Sequence, residues 1–367
     1  MRSTLVLFAG SLAVLLIAGV ASAEERANQG WTPRVNAFMD AGGELRMADM
    51  DDETLGDDSG FFMRAFGVFL GAQLSPSTSF FTGTCYQDGF KIGVAYITLH
   101  GLLPGLNLRI GKFRQALGVV QPWLLPRLDQ FDRPLSLRLF LGPEGLEQIG
   151  VSLEWALPLG FKNNPRILLQ ATNGSNPRLF SGEFYSVPVG LLRFEQAVSA
   201  SPRLRMQFGL SGMYGGNNRR NLTNDSGERV DEPWRETTVA GADFGLIWFV
   251  EESDYFTWRT EGFWVGKQTG SGYLAAAGGY SYLDFSHADR WIFGLRGDLA
   301  QPFKVDNHDE LLWQAVAYIG FAPWSRVRLR LQASHQEGGG LPADDRFILQ
   351  VSLCTNFPAL ARKRKNP

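Results

Sequence analysis

Within residues 147–157, positions 148–155 alternate strictly between two kinds of side chain. Odd positions are apolar and even positions are polar or glycine: Ile149, Val151, Leu153 and Trp155 against Gln148, Gly150, Ser152 and Glu154, and Leu157 continues the apolar set. A period of two places all side chains of one kind on one face of a β-strand. The segment therefore predicts a strand with one apolar and one polar face, and the fold must give each face its own surroundings.

The same alternation returns along the chain. The apolar faces run Phe66 to Ala72, Phe90 to Tyr96, Leu106 to Ile110, Leu204 to Leu210, Ala242 to Trp248, Val327 to Ala333 and Phe347 to Leu353. The opposite faces carry mainly Gly, Gln, Ser and Arg, with little Lys. A soluble β-sandwich would turn its polar faces to bulk water and favour Lys and Glu there. The composition instead favours a crowded polar interior inside an apolar surface.

The first 23 residues have the features of a secretion signal. Arg2 precedes an apolar stretch from Leu5 to Val20, and Ala21-Ser22-Ala23 has the pattern of a cleavage site. The alternative is a membrane anchor, but the apolar core is short for a stable span. We expect cleavage near Ala23. The most apolar later run, Phe244–Val250, is far below the roughly 18 residues of a membrane helix.

Together these features predict an all-β protein: a single transmembrane antiparallel β-barrel of about 16 strands with a long in-folded loop, placed in a bacterial outer membrane. The predicted organisation is a signal peptide at 1–23, the barrel at 24–353 and a basic tail at 354–367. Short turns such as Pro104-Gly105 mark one end. The long polar connections are Met47–Gly60, Gly111–Leu146, Gly215–Glu236 and Glu337–Asp345.

The connection Lys112–Leu146 lacks periodicity and contains four prolines. A segment of about 30 residues without periodicity is usually functional or disordered. We expect it to fold into the lumen and narrow a pore; the alternative is an external loop without a gating role. The candidate constriction residues are Arg114, Trp123, Arg127, Asp129, Asp132, Arg133 and Arg138.

Charged residues on the polar strand faces are candidates to line the pore. They are Arg109, Glu154, Arg203, Arg205, Asp243, Arg259, Glu261, Arg296, Asp298, Arg326, Arg328 and Arg330. Arg326, Arg328 and Arg330 alternate with apolar residues, so they form a basic ladder on one strand face that would favour anions. The alternative is that these arginines only pair with Glu154, Asp243 or Glu261.

Several segments carry a resemblance to a known family. They are Val94–Tyr96, Leu106–Phe113, Asp132–Leu135, Phe140–Leu146 and Gly150–Trp155, and more weakly Pro323–Arg330 and Phe347–Val351. They resemble a family of Gram-negative porin-like outer-membrane proteins related to the phosphate-selective porins O and P, some of whose relatives are labelled zinc-regulated TonB-dependent receptors. The resemblance implies passive diffusion of small hydrophilic solutes or ions.

This chain departs from that family where a metal is concerned. Relatives tend to carry His after Lys112, but Gln121-Pro122-Trp123 stand here. The four histidines, His100, His287, His308 and His335, never cluster. We therefore expect no metal site and no cofactor.

The sequence also bears on other functions and on partners. A structural or receptor-type barrel with a closed lumen is the alternative to a channel. Ser334-His335 is the only dipeptide that suggests hydrolysis, and no motif surrounds it, so we expect no enzyme.

The near balance of 35 basic and 37 acidic residues gives no reason to expect nucleic acid as a partner. The expected partners are membrane lipid, small solutes or ions, and further copies of this chain in a homo-oligomer. Cys85 and Cys354 are either a disulfide or two unrelated thiols.

Overall fold

The computed structural model describes residues 33–48, 59–86, 89–160, 163–176, 178–181, 188–218, 221–223, 229–231, 233–303, 311–339 and 341–355. The predicted signal peptide lies outside these residues, as does the predicted basic tail beyond Thr355.

Sixteen antiparallel strands form one closed barrel, which confirms the predicted all-β fold. The strands are β1 (Pro33–Ala48), β2 (Gly60–Ser75), β3 (Thr78–Tyr86), β4 (Phe90–Leu103), β5 (Leu106–Arg114), β6 (Glu147–Ala156), β7 (Arg166–Thr172), β8 (Val189–Ser201), β9 (Leu204–Gly216), β10 (Glu236–Phe249), β11 (Tyr255–Thr269), β12 (Gly272–His287), β13 (Trp291–Gln301), β14 (Leu312–Trp324), β15 (Val327–Gly338) and β16 (Leu341–Cys354). Each pairs with its sequence neighbours, and β1 also pairs with β16, as in Phe38 with Cys354.

Small elements lie in the connections. Ser175–Asn176 pairs with Phe180–Ser181, and Asn221–Thr223 pairs with Arg229–Asp231. The connection from β5 to β6 carries a 3₁₀ turn at Leu125–Arg127 and the helix α1 at Leu135–Leu141. Among the described residues, no helix has the length and apolar character needed to cross a membrane.

The outer surface of the barrel is apolar. On β6, Ile149 is 57% exposed and Val151 43%, whereas the alternate residues Gln148 and Ser152 are 1% and 4% exposed. The exposed residues face outward, and the buried ones face a crowded interior. The predicted two-residue period is therefore confirmed on this strand.

The two ends of the barrel differ. At one end the strands are joined by short turns, such as 76–77, 104–105 and 325–326. The long connection 115–146 and the connections after β7 and β9 lie at the opposite end. Trp155, Trp248 and Trp324 are exposed near the short-turn end, where aromatic residues form girdles in membrane barrels.

The predicted face of β4 is wrong for half of the strand. Thr84 pairs with Ile92 but Gly83 pairs with Val94, so Gly93 is an extra residue in the ladder. Such a bulge shifts the alternation by one position. Val94 therefore points inward and is 3% exposed, although sequence periodicity grouped it with outward-facing Ile92.

The predicted long connection Glu337–Asp345 is also wrong. Strand β15 continues to Gly338 and β16 begins at Leu341. Gly338 and Gly339 have φ values of 100° and 65°, a region that glycine adopts without a steric penalty. The chain therefore reverses within a tight turn. Cys85 and Cys354 are free thiols.

Candidate functional site: the lumen and its in-folded loop

The segment 115–146, called here the lumen loop, runs inside the barrel. Its backbone is buried, so its polar groups need partners from the wall. Gln170 on β7 accepts a hydrogen bond from the Ala116 N–H at 3.0 Å, and Gln332 on β15 accepts one from the Phe131 N–H at 2.8 Å. The predicted in-folding of this loop is therefore confirmed.

Glu261 on β11 holds the first part of the loop. Its Oε1 accepts the N–H groups of Val119 and Val120, each at 2.9 Å. Hydrogen bonds to a carboxylate are about twice as strong as neutral ones. Glu261 therefore anchors the loop instead of pairing with an arginine of the predicted ladder.

Two arginines of that ladder hold the middle of the loop. Arg328 donates to the Pro126 carbonyl at 2.7 Å, and Arg330 donates to the Leu128 carbonyl at 2.8 Å. Arg328 also lies 3.3 Å from Asp129. The third predicted member, Arg326, is exposed in the turn before β15 and does not share this face. The ladder is thus two residues long and lies beneath the loop.

A third anchor involves Asp132 and Arg296. Arg346 on β16 donates to the Asp132 carboxylate at 3.0 Å. Arg296 bonds to Asp298 at 2.7 Å and to the Asp132 carbonyl at 2.9 Å. Burial disfavours the charged Asp132 carboxylate, but the combined fields of nearby arginines, led by Arg138 and Arg346, outweigh it and lower the pKa of Asp132.

Trp123 lies between two guanidinium groups. Arg127 of the loop is 4.5 Å from its ring centroid, and Arg259 of β11 is 4.7 Å from it. Cation–π contacts of this kind orient an aromatic ring. Around Trp123, the loop packs against the β8–β12 wall in one apolar cluster, which includes Leu117, Val120, Leu137, Phe140, Val189, Val239 and Phe263. This side of the lumen is filled.

Arg114 and Arg133 brace the loop through its own carbonyl groups, and Arg138 ties the loop to the wall. Arg114, the last residue of β5, donates to the carbonyls of Gln121 at 2.9 Å and Glu144 at 2.6 Å. Arg133 donates to the Trp123 carbonyl at 2.6 Å. Arg138 on α1 reaches Gln314 of the wall at 3.0 Å.

Other predicted wall residues lie nearer the short-turn end. Arg109 stacks on Tyr96 at 4.6 Å, and Arg205 lies 5.1 Å from the Phe249 ring. Arg203 is exposed in the turn before β9, so it is not on a strand face as predicted. Glu154 pairs with Arg166 at 2.9 Å.

The sequence reasoning missed Arg193. It bonds to Asp243 through two guanidinium nitrogens, at 2.5 and 3.0 Å, and both side chains are buried. Its neighbours Leu192 and Phe194 are apolar and face outward. The two-residue alternation of β8 therefore predicts an inward-facing Arg193.

Open space remains on the opposite side of the lumen, along β1–β6. A cavity of about 270 Å³ is lined by Arg64, Lys91, Arg114, Arg133, Glu144 and Glu147, among others. A second cavity of about 450 Å³, towards the short turns, is lined by Tyr96, Thr98, Asn107, Arg109 and Glu154, among others.

Ser334 and His335 do not form a catalytic pair. Ser334 is buried on the inner face of β15, whereas the His335 ring contacts Asp345 at 2.7 Å on the outer side. Adjacent strand residues point to opposite faces, so the barrel wall separates them. Within the described part of the chain, no three His, Cys, Asp or Glu side chains converge as a metal site requires.

Comparison with known proteins identifies the fold. No family model matches the chain. An uncharacterized protein of Aquifex aeolicus is 26% identical over 318 residues, covering 76% of this chain and 64% of that protein. This chain therefore spans slightly less than two thirds of that relative's length.

Solved structures of outer-membrane proteins share the architecture. The anion-selective porin from Comamonas acidovorans superposes with a TM-score of 0.60 at 9% identity, covering 88% of this chain and 99% of the porin. In-vitro folded OmpT, an outer membrane protein of Vibrio cholerae, gives 0.57 at 10% identity, covering 89% and 98%. OprB of Pseudomonas putida gives 0.56 at 10% identity, covering 91% and 96%. The chain has the fold of these barrels. The finer relation to phosphate-selective porins O and P stays a prediction.

Proposed function

We propose that the protein is a porin-like channel of a bacterial outer membrane that lets small hydrophilic solutes or ions diffuse passively. The observation that carries this proposal is the arrangement of a closed barrel with an apolar exterior around a polar lumen that the loop only partly fills. Only closed barrels and helices satisfy their backbone within lipid. Export through the segment 1–23, contact with membrane lipid and homo-oligomerisation belong to the same proposal.

The loop is the proposed constriction, and the solute path follows β1–β6. The apolar cluster closes the β8–β12 side, so the open route for a solute runs along the wall that lines the two cavities. Arg114, Trp123, Arg127, Asp129, Asp132, Arg133 and Arg138 then act mainly by fixing the loop's position.

Anion preference is part of the proposal, on different residues from the predicted ladder. The smaller cavity is lined by four basic side chains and two acidic ones. Among the basic four, Arg64 lies 3.9 Å from Asp40, and its Nη1 makes no hydrogen bond to a described residue. A guanidinium whose positive charge borders a confined path attracts anions.

A barrel with a closed lumen is the second candidate. The buried loop anchors and the apolar cluster favour it, because together they exclude water from one side of the lumen. The two candidates differ in whether the β1–β6 side conducts.

Single-channel recording in planar bilayers tests the proposal. Purified wild-type protein is expected to give discrete conductance steps and, in a salt gradient, a reversal potential that favours anions. Arg64→Gln should move that potential towards cations, whereas the exposed turn variant Arg203→Gln should leave it in place. A folded barrel without conductance steps would establish the closed-lumen candidate instead.

A further inference from the structure

An aromatic strip crosses the open side of the lumen. It consists of Phe38, Phe69, Phe81 and Tyr96, one inward-facing ring on each of β1, β2, β3 and β4. Successive ring centroids are 5.4, 6.0 and 5.5 Å apart. The first two pairs are nearly parallel, with interplanar angles of 11° and 13°. The rings therefore form a continuous path and not isolated core contacts.

The strip connects the two cavities. Phe69 borders the smaller cavity, and Phe81 and Tyr96 border the larger one. Phe38 is buried at the inner end of the strip, in a cluster to which Leu125 of the lumen loop also packs. Phe69, Phe81 and Tyr96 are only half-buried. A solute that follows the proposed path must pass over these three rings.

Glycines on the neighbouring strands hold two of the rings flat. A Cβ atom at Gly67 would collide with the Phe38 ring, and one at Gly83 would collide with the Phe69 ring. Aromatic rings that cover sheet glycines stabilise a barrel wall. Phe38 and Phe69 therefore lie against the wall, and of these two rings only Phe69 is partly exposed to the interior.

Polar groups flank the accessible rings. The larger cavity combines Phe81 and Tyr96 with Thr98, Asn107, Arg109 and Glu154, among others. Arg109 lies over Tyr96 and borders the same space. Such a site offers flat apolar faces together with hydrogen-bond donors and acceptors. Binding sites of this size, about 300–1,000 Å³, gain specificity from a few polar groups placed around an apolar surface.

We propose that the aromatic strip is a binding track for sugars, which deepens the channel function proposed above and rests on it. The C–H groups on one face of a pyranose ring pack on the aromatic faces. Its hydroxyl groups both donate and accept, so they pair with Asn107, Glu154 and Arg109. A wholly apolar solute would leave these polar groups unpaired at a cost in free energy, and a simple inorganic anion would gain nothing from the aromatic faces.

The probe is maltotriose, a linear oligomer of three glucose rings, with mannitol as a polyol that has no ring face. In bilayers, maltotriose is expected to interrupt the wild-type ion current reversibly, and mannitol at equal concentration is not. Calorimetry on the folded barrel in detergent measures the same binding without requiring conductance. Equal interruption of the ion current, or equal binding heats, with maltotriose and mannitol would overturn the assignment of the rings as the sugar site.

Variants of the strip locate the binding. Phe81→Leu and Tyr96→Leu keep an apolar side chain of similar size but remove the flat face, and each should weaken maltotriose binding about tenfold. Tyr96→Phe keeps the ring and should bind within about twofold of the wild type. Phe208→Leu on the outer surface is the matched control. Heat-modifiable migration verifies that each variant is folded.

The readouts separate the two proposals. Salt conductance without maltotriose binding in either assay overturns the sugar track and leaves the channel in place. Maltotriose binding by calorimetry without conductance overturns the channel and supports the strip as a sugar site. Wild-type affinity in both leucine variants overturns the strip as the site.

Discussion

Arg193 and Asp243 meet directly above a strand that contributes neither of them. They lie on β8 and β10, and their ion pair crosses β9 at Gly209. A Cβ atom at Gly209 would collide with the Asp243 carboxylate and the Arg193 guanidinium. The absence of a side chain on the middle strand is therefore what permits this buried pair.

We predict that Gly209→Ala destabilises the barrel. The added methyl group separates two buried charges, and breaking such a pair costs on the order of 3 kcal/mol. Gly212→Ala on the same strand is the matched control, since a Cβ there meets nothing within 4 Å, and its effect should stay within about 0.5 kcal/mol. Urea unfolding in detergent or vesicles measures the free energy of unfolding. Equal stabilities of the two variants would contradict the prediction.

Glu261 should control the order of the first part of the lumen loop. Glu261→Ala removes the acceptor for two buried N–H groups, each of which costs about 1–3 kcal/mol when left unpaired. Hydrogen exchange at Val119 and Val120 should therefore accelerate strongly. Glu261→Gln retains a neutral acceptor and should fall between the wild type and the alanine variant. Exchange rates unchanged in the alanine variant would mean that other contacts hold this segment.

Shortening the lumen loop should raise conductance. Replacing residues 122–133 with a short glycine–serine link removes chain from the lumen while the strand ladders remain intact. Single-channel conductance measures the effect. Removal of one or two residues from the connection between β6 and β7, at the opposite end of the barrel, is the control and should leave conductance unchanged. A folded loop variant with wild-type conductance would contradict the role of the loop as a constriction.

Asp132 should stabilise the protein in a pH-dependent way. Its pKa is lowered in the folded state, so its contribution is fully present above the unfolded value of about 3.9 and is lost as the pH falls through the lower folded value. Asp132→Asn should therefore melt at a lower temperature than the wild type at pH 7, with the gap closing below about pH 4. Asp289→Asn, at an exposed turn, should show no such gap. A gap at pH 2 as large as the gap at pH 7 would contradict the assignment to ionisation.

Strand identity was accessible from the sequence because one physical rule dominates it. A strand between two different surroundings must alternate, and residues 148–155 of β6 do so without interruption. The rule fails at Gly93, because a bulge is set by the pairing of β3 with β4 and leaves no periodic trace. It also missed the tight turn at Gly338, because a run of glycines is compatible with a long loop or a short reversal.

The partners of the lumen loop could not be predicted. The contacts of Glu261 with Val119 and Val120 join residues more than 140 positions apart, and their register depends on barrel closure. Arg328 and Arg330 were placed correctly on the inner face, but their acceptors are backbone carbonyls. Every residue offers such a carbonyl, so side-chain identity carries no signal for this kind of contact.

The seam between β1 and β16 has a consequence for biogenesis. Ala37 and Thr355, which are bonded across it, are 318 residues apart, so an assembling barrel has two unsatisfied sheet edges until its sixteenth strand is in place. The wall partners Arg328, Arg330 and Arg346 of the loop also belong to the last two strands. A chain lacking only β16 would thus lose the closure of the barrel and the contact of Arg346 with Asp132 together.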